Sequence, residues 1–109
     1  MNEPRDPHEA VDYLIKTAPR FAKAKAERVY VENFLRSKKS LLMAQVEGSI
    51  AAKEAYAYAH PEYQQLLEGL RAAVEAEETL RWKMTAAELS VEIWRSKEAS
   101  NRAQDRATR

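Results

Sequence analysis

The second half of the chain carries hydrophobic positions that recur every seven residues. One set comprises Tyr63, Leu70, Glu77, Met84 and Val91, and the interleaved set comprises Leu66, Ala73, Leu80, Ala87 and Trp94. Alternating steps of three and four residues are typical of a helix that packs along one seam, and a strict seven-residue repeat favours a left-handed supercoil. The pattern predicts a long helix over residues 61–103, followed by a frayed polar tail over 104–109.

The first half of the chain predicts two further helices. Asp6 is suited to cap a short helix over residues 7–16, with Pro7 in its first turn and Glu9 completing a capping box. Thr17 and Pro19 favour a stop and a restart there. A second helix is then expected over residues 18–58, because a single internal glycine costs only about 1 kcal/mol. Its expected contact line is Phe34, Leu41, Gly48 and Ala55.

The sequence His60-Pro61 is the strongest interruption of the helical pattern, since a residue before proline is disfavoured in helical geometry. A turn there folds the two long helices into an antiparallel hairpin. Residue i then lies opposite about residue 120 − i, which places Trp94 near Ala26 and Leu80 near Leu41. The predicted fold class is all-α, a single domain formed by a coiled-coil-like hairpin with a short N-terminal helix.

Each long helix carries more apolar side chains than one seam can bury. The surplus residues are Trp82, Leu89 and Ile93 in the last helix and Val31, Leu35 and Leu42 in the preceding one. Large exposed apolar patches mark interaction sites. The six residues are therefore candidates for an interface in a homodimer that forms a four-helix bundle. A three-helix monomer, in which the short helix covers them, is the alternative.

Composition restricts the chemistry. The 109 residues include no cysteine, which excludes disulfides and thiolate nucleophiles. The polar, acidic first ten residues do not resemble a signal peptide. No apolar run reaches the roughly 20 residues that cross a bilayer. The expected location is the cytoplasm, with no membrane partner.

The sequence contains no recognisable catalytic or metal-binding motif, so we expect neither an enzyme nor a cofactor. His8 and His60 each adjoin a proline at a predicted helix start and are interpreted as turn or cap residues. The acidic group considered for metal binding comprises Glu75, Glu77, Glu78, Glu88 and Glu92. Two carboxylates one turn apart are what all-α nucleotide pyrophosphatases use for magnesium, but a solvated face is favoured. Glu77 occupies a core position, where an ion pair is expected.

Net charge is only +1, yet residues 16–39 carry a net +6 and residues 79–109 a net +3. In the predicted hairpin these two segments meet and form a basic end. Such a surface docks phosphates without reading sequence. The candidate nucleic-acid-binding residues are Arg20, Lys23, Arg28, Arg36, Lys38, Lys39, Arg95 and Arg102. The alternative is a solubilising surface.

About two thirds of the chain resembles a family of small, uncharacterised proteins of tailed bacteriophages. The residues that carry the resemblance are His60-Pro61-Glu62-Tyr63, Leu80-Arg81-Trp82 and Glu92-Ile93-Trp94-Arg95. Genes of this family lie among phage recombination and replication genes. The resemblance implies an accessory role in phage DNA metabolism within the bacterial host cytoplasm, through binding of DNA or a recombination enzyme. The alternatives are a protein-interaction module, such as an inhibitor of a host nuclease, and a purely structural bundle.

Overall fold

The structure, a computed structural model, describes residues 6–108. Within these residues the chain forms α1 (Pro7–Met43), α2 (Ile50–Ala59) and α3 (Pro61–Thr108). The fold is all-α and is a long helical hairpin, as the sequence predicts. Residues 1–5 and Arg109, which belong to the predicted acidic N-terminus and polar tail, lie outside the described residues.

The start of α1 is capped as predicted. The Asp6 carboxylate accepts hydrogen bonds from the backbone N–H groups of His8 at 2.7 Å and Glu9 at 3.4 Å. Pro7 is the first helical residue, where its missing N–H has no intrahelical partner to lose.

The prediction of a separate short helix over 7–16 is wrong, because α1 continues through Pro19 without a stop. Pro19 is exposed, so the carbonyl group that it deprives of a hydrogen bond lies on the solvent side. Ala10 and Thr17, in contrast, are buried. Packing of that inner face stabilises helical geometry against the local cost of an internal proline.

The prediction of one helix over 18–58 is also wrong, since α1 ends at Met43 and α2 begins at Ile50. Gly48 has φ +134°, a conformation that residues with a side chain rarely adopt. Ser49 then caps α2, and its hydroxyl accepts a hydrogen bond from the N–H of Ala52 at 3.1 Å. Glycine acts here as a turn residue rather than as a weakly helix-forming residue.

The interruption at His60-Pro61 is confirmed. His60 is the C-cap of α2, with an extended backbone, and Pro61 is the first residue of α3. The Nδ1 atom of His60 accepts a hydrogen bond from the N–H of Glu62 at 3.1 Å. At its other end α3 reaches Thr108, so the predicted fraying from residue 104 is wrong for the described part of the tail.

The described residues form two compact units, and the first, here called the turn unit, comprises residues 22–78. Its α1 and α3 segments run antiparallel, because Arg28 pairs with Glu77 and Lys38 with Glu62. The predicted pairing of residue i with residue 120 − i is therefore wrong, since it would place a residue near 92 opposite Arg28 and a residue near 82 opposite Lys38. The chain turns at Gly48 and again at His60, and the two turns together reverse its direction, with α2 between them.

The inward line of α1 in the turn unit differs from the predicted one. Leu42 is fully buried, Leu35 is buried and Val31 is half-buried, whereas Phe34 and Leu41 are 41% and 60% exposed. Val31, Leu35 and Leu42 therefore belong to the hairpin core rather than to an interface with another copy. The shift follows from the pairing partner, because the side of α1 that faces α3 in the observed register lies one position further along the helix.

The second unit, here called the terminal unit, comprises residues 6–21 and 79–108. Its buried residues are Ala10, Thr17 and Ala87. The Arg81 guanidinium lies over the Phe21 ring, 5.7 Å from its centroid. The predicted α3 seam is confirmed at Leu80, Met84, Ala87 and Val91, which are buried or half-buried, but Trp94 is 46% exposed.

Candidate interaction surface

The one acidic residue on the predicted α3 seam is held in an ion pair, as expected. Glu77 is 2% exposed, and both of its oxygens accept hydrogen bonds from Arg28, at 2.5 Å from Nε and 3.2 Å from Nη2. The same guanidinium reaches Glu32 at 3.0 Å. The hydrogen bonds that Arg28 donates to Glu77, and then to Glu32, raise the pKa of its guanidinium above the usual value. Arg28, a candidate nucleic-acid-binding residue, is thus engaged with two carboxylates within the turn unit.

Two further candidate nucleic-acid-binding residues are also engaged within the turn unit. Lys38 pairs with Glu62. Lys39 lies 3.8 Å from the Glu54 carboxylate and its ammonium stands over the Tyr58 ring, 4.8 Å from the centroid. Hydrogen bonding to Tyr58 is the largest cause of the raised pKa of Lys39. The basic segment of α1 therefore faces carboxylates of α2 and α3.

The observed register replaces the predicted basic end by a nearly neutral unit. Residues 22–78 hold eight basic and nine acidic side chains, for a net charge of −1. The charge differs from the prediction because the register differs. A single turn at His60 would have placed residues 81–104 beside the basic segment, residues 16–39. Instead, the acidic part of α3 that ends at Glu78 lies beside that segment.

The remaining candidate cations are exposed but do not form one cluster along the sequence. Arg20 belongs to the terminal unit, whereas Lys23 and Arg36 belong to the turn unit. Arg95 pairs with Glu92 at 3.3 Å on the surface of α3, and Arg102 lies two turns further along. An exposed ion pair of this kind contributes at most about 1 kcal/mol, so Arg95 can exchange Glu92 for another anion.

The exposed apolar residues form the more pronounced surface. Trp82, Leu89 and Ile93, the predicted interface residues of α3, are 66%, 56% and 56% exposed. On α1 the turn unit exposes Tyr30 and Phe34, whose rings stack with centroids 6.1 Å apart. The latter pair was missed as a surface feature, since sequence reasoning assigned Phe34 to the hairpin seam.

Two other properties bear on the chemistry that the chain can perform. Among residues 6–108, no three histidine or carboxylate side chains lie together in a group able to bind a metal ion. In the same residues, none of the helices combines the length and the apolarity that crossing a bilayer requires. The acidic residues Glu75, Glu78, Glu88 and Glu92 are thus distributed over the surface of α3, at exposed or half-buried positions.

Comparison with known proteins adds no relative: no family model, no curated protein and no solved structure matches the chain.

Proposed function

We propose that this chain is a non-enzymatic interaction protein that works by binding other protein chains through exposed apolar helix faces, with a second copy of itself as the first partner. The observation that carries the proposal is the distribution of large apolar side chains. Among residues 6–108, fifteen large hydrophobic residues are exposed, whereas the buried hydrophobic residues number five, three of them alanine. Few of the large apolar side chains are fully covered within one chain, so their burial against a partner would add hydrophobic free energy.

The exposed area supports the same conclusion. The chain exposes 8406 Å² in total, and a standard protein interface covers roughly 800 Å² on each partner. One copy therefore has ample area for a dimer interface, and association would add burial that the single chain lacks.

A role in phage DNA metabolism, suggested by the sequence resemblance, is compatible with this proposal. A small helical accessory protein that binds a recombination enzyme needs an apolar docking face and no catalytic group. Direct DNA binding is the second candidate function. It is favoured by the exposed cations along the end of α3, which are Arg95, Lys97, Arg102 and Arg106.

The dependence of thermal stability on protein concentration tests the main proposal. If folding and self-association are coupled, Tm measured by circular dichroism rises as the protein is concentrated from micromolar to near-millimolar levels. A Tm that stays constant over this range would contradict the proposal, because the unfolding of a monomer is independent of concentration.

Fluorescence anisotropy of labelled single- and double-stranded DNA in a salt series tests the second candidate. Binding through the exposed cations weakens steeply as salt rises, since each neutralised phosphate releases counterions. The paired variant Arg102→Gln with Arg106→Gln is expected to reduce that salt dependence, whereas Lys38→Gln, which removes an already paired cation, leaves it unchanged. Absence of binding at low salt excludes direct DNA binding and leaves the interaction with proteins.

A further inference from the structure

The exposed face of α3 in the terminal unit continues well beyond its three large apolar residues. Starting at Thr79, nine positions at alternating steps of three and four residues carry no charge and are all exposed. These nine residues, here called the outer stripe, are Thr79, Trp82, Ala86, Leu89, Ile93, Ser96, Ser100, Ala103 and Ala107. Charged residues make up about a third of the same segment but lie beside the stripe, never on it.

The outer stripe faces away from α1. The side of α3 that packs on α1 includes Met84 and Ala87, and the stripe residues Ala86 and Leu89 follow them by two places. Two residues correspond to a rotation of about 200° around an α-helix. Another helix can therefore lie along the stripe without displacing α1.

We propose that the outer stripe is the contact surface between two copies of this chain, with the two α3 helices parallel and in register. This inference rests on the proposed function, because it specifies how self-association occurs. The stripe has the period of a coiled-coil seam over four heptads, and its large apolar residues are Trp82, Leu89 and Ile93. In a parallel pair each stripe residue meets its own copy across a two-fold axis, so every apolar residue meets an apolar one.

The charges that flank the stripe favour the parallel arrangement. In a parallel pair, a residue on one side of the seam faces the residue five positions later on the partner helix. Glu78 then faces Lys83 of the second copy, and Glu92 faces Lys97. Both pairs are oppositely charged. In an antiparallel pair centred between Ala86 and Leu89, neither glutamate faces a lysine across its own side of the seam.

The residue types at the central layers agree with a two-stranded parallel contact. Leu89 and Ile93 occupy the two alternating seam positions, and a β-branched residue at one with leucine at the other favours two parallel strands. Trp82 supplies the largest apolar side chain, while Ala86, Ser96 and Ser100 allow close approach of the helix backbones. The small residues at the far end make the contact weaker there, so Trp82, Leu89 and Ile93 are expected to dominate the affinity.

Disulfide trapping tests the orientation, and the absence of native cysteine makes each introduced thiol unique. Under mild oxidation, Ser100→Cys is expected to form a covalent dimer rapidly, because the two residues 100 face each other in the parallel pair. The matched control is Asn101→Cys, which is equally exposed but turned away from the seam, and it is expected to react at least tenfold more slowly. Equal rates for the two variants, at a protein concentration where the dimer is populated, would overturn the proposed surface and orientation.

A charge exchange provides a second, independent test. Glu92→Lys places two like charges together with Lys97 of the partner, as does Lys97→Glu with Glu92, so each single variant is expected to weaken the dimer at least threefold. The double variant restores attraction and is expected to return to the wild-type dissociation constant. Failure of the double variant to recover would contradict the parallel register.

The two tests also separate this inference from the proposed function. A dimer that forms but passes neither test would overturn this inference and leave the proposed function standing, whereas a monomer at all concentrations would overturn both.

Discussion

Arg28 of α1 and Glu77 of α3 are 49 positions apart in the sequence and form a two-point ion pair in the interior of the turn unit. The pair defines the register of the hairpin, because a shift by one turn would separate the guanidinium from a carboxylate that is 2% exposed. An unpaired buried carboxylate is strongly destabilising, so misregistered pairings are disfavoured. The same contact explains why a charged residue occupies a seam position of α3.

Removal of Arg28 should therefore destabilise the protein more than removal of an exposed arginine. Arg28→Met removes both hydrogen bonds that the guanidinium donates to the buried carboxylate of Glu77, and the loss of such a contact is strongly destabilising. The double variant Arg28→Met with Glu77→Leu should recover most of this loss, since both charges are then absent. Urea denaturation followed by circular dichroism measures the difference. Arg36→Met serves as the control, and an equal loss for Arg36 and Arg28 would refute the structural role of the pair.

The two glycines should respond in opposite directions to alanine. Gly48→Ala forces a side chain into φ +134°, and such backbone strain costs about 1–3 kcal/mol. Gly69 lies within α3, where a Cβ atom would meet nothing within 4 Å, so Gly69→Ala should stabilise the helix by about 1 kcal/mol. Thermal melts of the two variants and of the wild type show whether each substitution lowers or raises Tm. Stabilisation by Gly48→Ala would mean that α1 and α2 join into the single helix that the sequence first suggests.

Acidic pH should weaken the ion pair between Lys38 of α1 and Glu62 at the start of α3. The hydrogen bond from Lys38, followed by its charge, lowers the pKa of Glu62 below its ordinary value. The resulting stabilisation is present above the ordinary pKa and is lost as the pH falls through the lowered one. In Lys38→Met the stability between neutral and acidic pH should fall less than in the wild type, as followed by urea denaturation at each pH. Identical pH profiles would show that the pair contributes nothing, as is common for exposed ion pairs.

The sequence predicted the helical hairpin and the α3 seam because a seven-residue repeat reports directly which side of a helix is covered. Trp82, Leu89 and Ile93 were identified as surplus for the same reason. The register was not predictable, since it depends on Gly48 adopting a positive φ and on the long-range pairing of Arg28 with Glu77. From that error followed the incorrect basic end and the placement of Val31, Leu35 and Leu42 at an interface. Local propensity treats Gly48 as a small helical penalty and carries no information on the pairing of distant residues.

If exposed apolar residues of α3 bind a second copy of the chain, sedimentation equilibrium should distinguish the wild type from Leu89→Glu. The wild type is expected to approach twice the chain mass of 12.5 kDa as its concentration rises. Leu89→Glu should remain at the monomer mass, and the control Asn101→Glu should behave as the wild type, with circular dichroism showing that all three are helical. A wild type that stays at the monomer mass throughout, or a Leu89→Glu variant that dimerises equally well, would show that this face of α3 does not bind a second copy.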